Sequence, residues 1–155
     1  MNISEDTLLE IKRKLVDLAL SHQQKASETA QALMNEAQQM ANDYGAPKDR
    51  YDAFRTKQMR QAEIYSNQFD VAQQNIRTLN KIELDKVSRQ VEFGSLVITD
   101  RQKMLVSISL GKLELDRELY YAISVQVPLF KVMEGKKIGE EFTFNGLTQK
   151  ITALI

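Results

Sequence analysis

Ala41-Asn42-Asp43-Tyr44-Gly45-Ala46-Pro47-Lys48-Asp49-Arg50-Tyr51-Asp52 is the stretch on which the fold turns. It holds the one glycine and the one proline of residues 1–90. Glycine and proline together punctuate helices, so a break falls here and nowhere else in the first half. Upstream, Leu8, Ile11, Leu15 and Leu18 step by helical spacing; His22 continues the seam, and Ala26, Ala30, Leu33, Ala37, Met40 and Tyr44 follow after a slip. Ser4 is placed to cap this helix, with Glu5 and Asp6 in the first turn, where carboxylates favour the helix dipole. Downstream, Tyr51, Phe54, Ala62, Tyr65, Phe69, Ala72, Ile76, Leu79 and Val87 repeat the pattern. The spacing predicts helices over Ser4–Tyr44 and Lys48–Lys86. A turn this short makes them antiparallel, each covering the other's seam, as an arm of roughly 60 Å at the helical rise. The alanines leave a narrow apolar stripe, which suits a coiled-coil hairpin better than a globular core.

Beyond about residue 90 the grammar changes. Short runs of Val, Ile, Leu, Phe and Tyr alternate with turn residues, and the remaining glycines and proline all lie here. Strands are expected near Glu92–Thr99, Met104–Leu110, Leu119–Val125, Glu141–Phe144 and Gln149–Leu154. Val106, Ile108 and Leu110 alternate with Ser107 and Ser109, which predicts one buried face. Pro128 is suited to open a short helix that buries Leu129, Val132 and Met133 and stops at Gly135. Asn145-Gly146 is a hairpin signal. The fold class expected is therefore α+β: a two-helix hairpin arm over residues 1–89, then a small antiparallel sheet domain with one short helix over residues 90–155.

Composition narrows the function. The chain has 155 residues and no cysteine, which excludes disulfides, thiol nucleophiles and thiolate-bound metals. His22 is the single histidine, so multi-histidine metal sites are excluded and it is expected to pack or hydrogen bond on the seam. The Gln-rich residues Gln23, Gln24, Gln31, Gln38 and Gln39 read as a solvated helix surface. Twenty-one basic and 21 acidic side chains cancel, leaving no global pull toward nucleic acid or membrane. No apolar run reaches the length of a membrane span, and the N-terminus lacks a signal core, so a cytoplasmic protein is expected.

Several segments resemble the bacterial Gre-type transcript cleavage factors. Val91-Glu92-Phe93-Gly94-Ser95 is similar to the family's opening V-x-F-G-S strand. Val127-Pro128-Leu129 followed by Gly135-Lys136-Lys137-Ile138-Gly139-Glu140-Glu141 is similar to its S-P-L … G-K-x-x-G-D-x segment, and Ile151-Thr152-Ala153-Leu154-Ile155 to its closing strand. These motifs occupy about a third of the chain. The resemblance implies an FKBP-like second domain that docks on RNA polymerase. It also implies an arm that enters the secondary channel, where tip carboxylates help hold a second Mg²⁺ and a water so that polymerase cleaves its own backtracked RNA. A metal-activated nucleophile completed by outside carboxylates is sound phosphodiester chemistry. Such a protein is an accessory factor, monomeric, with no tightly bound cofactor; its partners are polymerase and the RNA 3′ end, with no membrane.

The family tip reads G-D-L-x-E-N-A-E-Y. Aligned on Gly45, its first acidic position falls on Ala46 and is lost, its second on Asp49, and a third acid falls on Asp52. Asp43 is placed to supply a substitute carboxylate from before the turn. Asp43, Asp49 and Asp52 are thus the candidate catalytic carboxylates, with Asp49 the candidate Mg²⁺ contact. Against this, Asp49 and Asp52 also read as an N-cap and N3 pair of the second helix. Lys48, Arg50, Arg55, Lys57 and Arg60 give the tip a basic excess suited to RNA phosphate or channel contact, or form a solvated helix face. Tyr44, Tyr51 and Phe54 are expected to close the hairpin end, with stacking on a base as the alternative. The family's Asp-Ser-Pro docking loop aligns with Gln126-Val127-Pro128, so docking is expected through apolar contact by Val127, Leu129 and Phe130, with core packing as the alternative for these three.

Three rival functions follow. A Gre-like inhibitor or modulator would dock and not cleave, as the acid lost at Ala46 suggests. A coiled-coil interaction protein would use the hairpin on another partner. A prolyl isomerase rests on the FKBP-like fold alone, and fold is poor ground for function.

Overall fold

The computed structural model describes residues 3–43 and 53–155. It has a long helical hairpin, a six-stranded sheet and one short helix. In chain order these are α1 (Glu5–Asp43), α2 (Ala53–Leu79), β1 (Leu96–Thr99), β2 (Lys103–Ser107), β3 (Gly111–Leu115), β4 (Glu118–Ser124), α3 (Pro128–Met133), β5 (Glu141–Phe144) and β6 (Leu147–Leu154). Two compact units divide the chain: Met1–Leu20 with Thr78–Ile155, the sheet unit, and Ser21–Arg77, the hairpin unit. The first turns of α1 therefore fold with the sheet, whereas the change of composition near residue 90 had separated them from it.

In the sheet unit α1 begins as its sequence predicts. The Thr7 N–H donates to Ser4 Oγ at 3.2 Å, and Leu8 N–H to the Ser4 carbonyl. One of the orphan donors of the first turn, that of Thr7, is thereby satisfied. α2 was expected to run to Lys86 and instead ends at Leu79. Lys81 and Ile82 then bond the carbonyls of Thr78 and Leu79, three residues back, and the tightened turn aims Ile82 into the core, where it is 6% exposed.

The strand order is β3-β4-β2-β1-β6-β5. All neighbours run antiparallel except β2 and β4, which pair in parallel with Leu105 beside Ala122. The chain leaves β2, forms β3 at the edge and folds back, so that β4 fills the place between them. That return turn is Asp116-Arg117, both at positive φ (50° and 66°), flanked by the partners Leu115 and Glu118. It is a two-residue turn of the primed type without a glycine. This is why β3 carries no turn signal in the sequence. Asn145-Gly146 makes the corresponding turn between β5 and β6, as expected.

The expectation of a single buried face is corrected. Leu96, Ile98 and Leu105 face a core shared with Leu8, Leu15, Val16 and Ala19 of α1. Val97, Met104 and Val106 face the opposite core, with Phe130 and Met133 of α3. The sheet is covered on both sides, so β1 and β2 read as continuous apolar runs instead of alternating ones. Ser107 is buried with them, its hydroxyl lacking a hydrogen-bond partner among the described residues.

Candidate functional site

Within the hairpin unit the buried line of α1 passes through Gln23, Ser27, Ala30, Ala37 and Ala41. Two predictions are corrected. Gln23 belongs to the seam and not to the solvated surface: Asn75 Nδ2 donates to its Oε1 at 3.0 Å. His22, one position earlier, is exposed. Ser27 is likewise buried and accepts from Gln73 Nε2 at 2.7 Å. Partners on α2 fall in number as those on α1 rise, which is antiparallel pairing. Ala62 and Ala72 complete the seam from α2. Small side chains allow close approach of the helices, and the amide and hydroxyl pairs settle one register.

At the far end of this unit Asp43 is exposed, and its Oδ1 accepts from Gln39 Nε2 at 2.7 Å. A carboxylate at a helix C-terminus faces the negative end of the dipole. Arg55 of α2 offsets this: its Nη1 donates to the Ala41 carbonyl at 3.3 Å, one of the carbonyls left over near the end of α1. Arg55 is half-buried in doing so, a tie between the helices, while Lys57 and Arg60 stand exposed on the same helix. Phe54 is 40% exposed. The remaining tip candidates, Lys48, Asp49, Arg50 and Asp52, lie outside the described residues, as do Tyr44 and Tyr51. Among the described residues no three His, Asp or Glu side chains converge as a metal site. The tip carboxylates that the structure describes therefore reduce to Asp43.

The expected docking segment lies in the sheet unit. The Gln126 N–H donates to Ser124 Oγ at 3.3 Å, Val127 is the N-cap of α3 in extended conformation, and Pro128 opens the helix. Gln126 and Pro128 are exposed, and Val127 and Leu129 half-buried. Phe130 is a correction: at 4% exposure it packs among Val97, Met104 and Met133 and has no ring to offer a partner. Val132, expected inside, is 38% exposed. In a helix this short, Phe130 and Met133 are three apart and share the inward face.

Many of the residues that carry the motif resemblance have structural work. Val91 N–H donates to the Lys136 carbonyl and Gly135 N–H to the Val91 carbonyl, both at 2.8 Å. Gly139 N–H donates to the Ile151 carbonyl, and Leu96 and Ile155 exchange a reciprocal pair. Three segments far apart in sequence are thus knit into one lattice. Gly94 and Gly135 take φ of 87° and 77°, which side chains resist, and Ser95 Oγ donates to the Glu92 carbonyl at 2.7 Å. These motifs report the architecture of the sheet unit, not a chemical centre.

No family model matches the sequence, and no curated protein matches it. Among solved structures the chain is similar to the crystal structure of the GreA factor homolog 1 protein of Thermus thermophilus, at 15% identity over 89% of this chain and 95% of that one, with a TM-score of 0.34. Among the described residues no helix is long and apolar enough to cross a membrane.

Sequence reasoning missed one chemically distinctive residue. Lys12 of α1 is 1% exposed, a buried amine inside an aliphatic seam. Its signal was available in the sequence, since Lys12 lies four residues after Leu8 and three before Leu15. Burial first, and then the nearby Lys86 charge, lower its pKa below the usual lysine value.

Proposed function

We propose that this protein is an RNA polymerase secondary-channel factor of the Gre type, an accessory protein and not an enzyme by itself. The observation that carries the reading is the mutual hydrogen bonding of the three Gre-like segments in one sheet unit, on a chain that opens with a two-helix hairpin. Motif likeness that falls on interlocking positions supports a shared architecture better than scattered identities do. In this reading the sheet unit docks on polymerase, and the hairpin offers Asp49, with Asp43 or Asp52, to a Mg²⁺ shared with the polymerase active site. Lys57 and Arg60, with Lys48 and Arg50, would meet RNA phosphates or channel walls. Docking is assigned to the exposed Gln126 and Pro128 with Val127, without Phe130.

The loss of an acid at Ala46 favours a second reading, a modulator that docks without cleaving. Pull-down of RNA polymerase followed by cleavage of RNA in a stalled, backtracked complex separates the two. In the leading reading the protein binds and stimulates Mg²⁺-dependent cleavage. Asp49→Asn then abolishes stimulation with binding nearly unchanged, because an amide keeps the shape and capping ability but not the charge. Binding without cleavage at any Mg²⁺ concentration establishes the modulator, and Ala46→Asp tests whether that position silenced the chemistry. Absence of polymerase binding ends both readings.

A further inference from the structure

A polar cavity of about 120 Å³ lies in the sheet unit, lined by Lys12, Lys81, Lys86, Ser88, Glu83 and Phe93 among others. Lys12, 1% exposed, is the most buried of these charged residues. Its Nζ donates to the Lys86 carbonyl at 3.1 Å, and among the described residues no carboxylate stands within ion-pair distance of it. An ammonium group has three N–H donors, so two are left without a protein acceptor. Burying a charge in this condition is costly unless something pairs with it.

Glu92 and Glu83 attract the Lys12 charge, but among the described residues neither closes an ion pair with it. Lys86 spends its ammonium on Glu92 Oε1 at 3.1 Å, which leaves Glu83 as the lining carboxylate against the charges of Lys12 and Lys81. Ser88, 3% exposed as a residue, lines the cavity beside them. The cavity therefore offers unused donors, a surplus of positive charge and a wall with few competing acceptors. Water could fill the donors but not the charge deficit. The volume is that of about four waters, sufficient for one tetrahedral oxyanion and too small for a nucleoside. The pKa of Lys12 is lowered first by burial and then by the Lys86 charge, which outweigh the opposing pull of Glu92 and Glu83.

We propose that this cavity binds a single phosphate group, held by the ammonium groups of Lys12 and Lys81, with Lys86 at its edge, and by the Ser88 hydroxyl. Lysine recognises phosphate as a point charge, and a hydroxyl donor completes the set. The phosphate is either free or the exposed end of a nucleotide whose remainder stays outside.

Equilibrium dialysis of the full chain against labelled inorganic phosphate tests this. One phosphate per chain is expected, with affinity lowered about tenfold or more in Lys12→Met, which keeps the buried stem and removes the charge. Lys81→Gln, at an exposed position that the fold does not require, should weaken binding by a smaller factor, and Lys25→Met, exposed on α1, should leave it unchanged. Competition by adenosine monophosphate identifies the nucleotide source, and its failure to compete identifies free phosphate; either result upholds the site. No saturable binding at millimolar phosphate, or binding that survives both Lys12→Met and Lys81→Gln, overturns it.

Discussion

The sheet unit and the hairpin unit hold themselves together by different means. The sheet unit buries Leu15, Leu96, Met104, Leu105, Met133 and Ile151 at or near zero exposure, on both faces of the sheet. The hairpin unit buries Ala30, Ala37, Ala41, Ala62 and Ala72, with Gln23 and Ser27 among them. Large aliphatic side chains contribute roughly 1.5–3 kcal/mol each on full burial, and alanine far less. Stability is thus concentrated in the sheet unit. The hairpin unit gains specificity instead, because a buried amide pair is costly in any register but its own.

The largest expected effect lies in the sheet. Leu105→Ala in β2 should cost about 2–5 kcal/mol in denaturant unfolding, the range for a buried leucine truncated without collapse. Ala30→Gly in the hairpin should cost only about 1 kcal/mol. Equal losses at the two positions would break the contrast. Hydrogen exchange sharpens it further: hairpin amides should exchange by local opening, sheet amides at the free energy of global unfolding.

A smaller effect is expected at the polar pair. Gln23→Leu leaves the Asn75 amide unpaired in the seam and should cost about 1–3 kcal/mol. Adding Asn75→Leu should recover most of that loss, since two apolar groups leave nothing unsatisfied. The double variant should lose register, read as mixed cross-linking between cysteines placed on α1 and α2. A double variant that stays in one register would show that the alanine steps suffice.

Alkaline pH probes the sheet unit at Lys12. Its folded pKa is lowered, so between that value and the ordinary 10.5 the unfolded chain binds more protons than the folded one. The contribution of Lys12 to stability therefore rises as pH climbs through this window, while Lys86, whose pKa is raised by its bond and pairing with Glu92, acts in the opposite sense above 10.5. Lys12→Met should flatten the rise in a pH series of unfolding midpoints and raise stability at neutral pH, where the buried charge costs most. A wild-type profile already flat from neutrality to pH 10.5 would contradict the burial argument.

The smallest effect belongs to the β3–β4 turn. Arg117 holds φ of 66°, and Arg117→Gly relieves that strain while loosening the unfolded chain. The net should be a gain of up to about 1 kcal/mol. A loss would mean that the arginine side chain stabilises the turn in some other way.

Much of this was legible in residue order. The helical steps from Leu8 to Leu18 and from Ala62 to Leu79, broken at Gly45 and Pro47, sufficed for two helices, because periodicity is a local property of a helix. Pro128, Gly135 and Asn145-Gly146 marked the short helix and one hairpin for the same reason: each acts through its own backbone angles. The candidate tip residues were legible as types, acids and bases close to one turn, but Arg55 as a tie to the Ala41 carbonyl was not, since its acceptor lies on the other helix.

What tertiary structure alone decided depends on partners distant in sequence. Gln23 and His22 are adjacent and both polar, and only Asn75 on the facing helix determines which of them is inside. Phe130 was assigned to a surface and belongs to a core, because Met133, Val97 and Met104 surround it. β3 escaped notice because its turn uses Asp116 and Arg117 at positive φ, angles that pairing with β4 imposes and composition does not announce. Residues Leu8–Ala19 fold onto the sheet although their pattern is that of the hairpin, since a helical stripe records that one face is covered and not by what. Order along the chain determined the elements; burial and pairing across it decided which side chains remain available for chemistry.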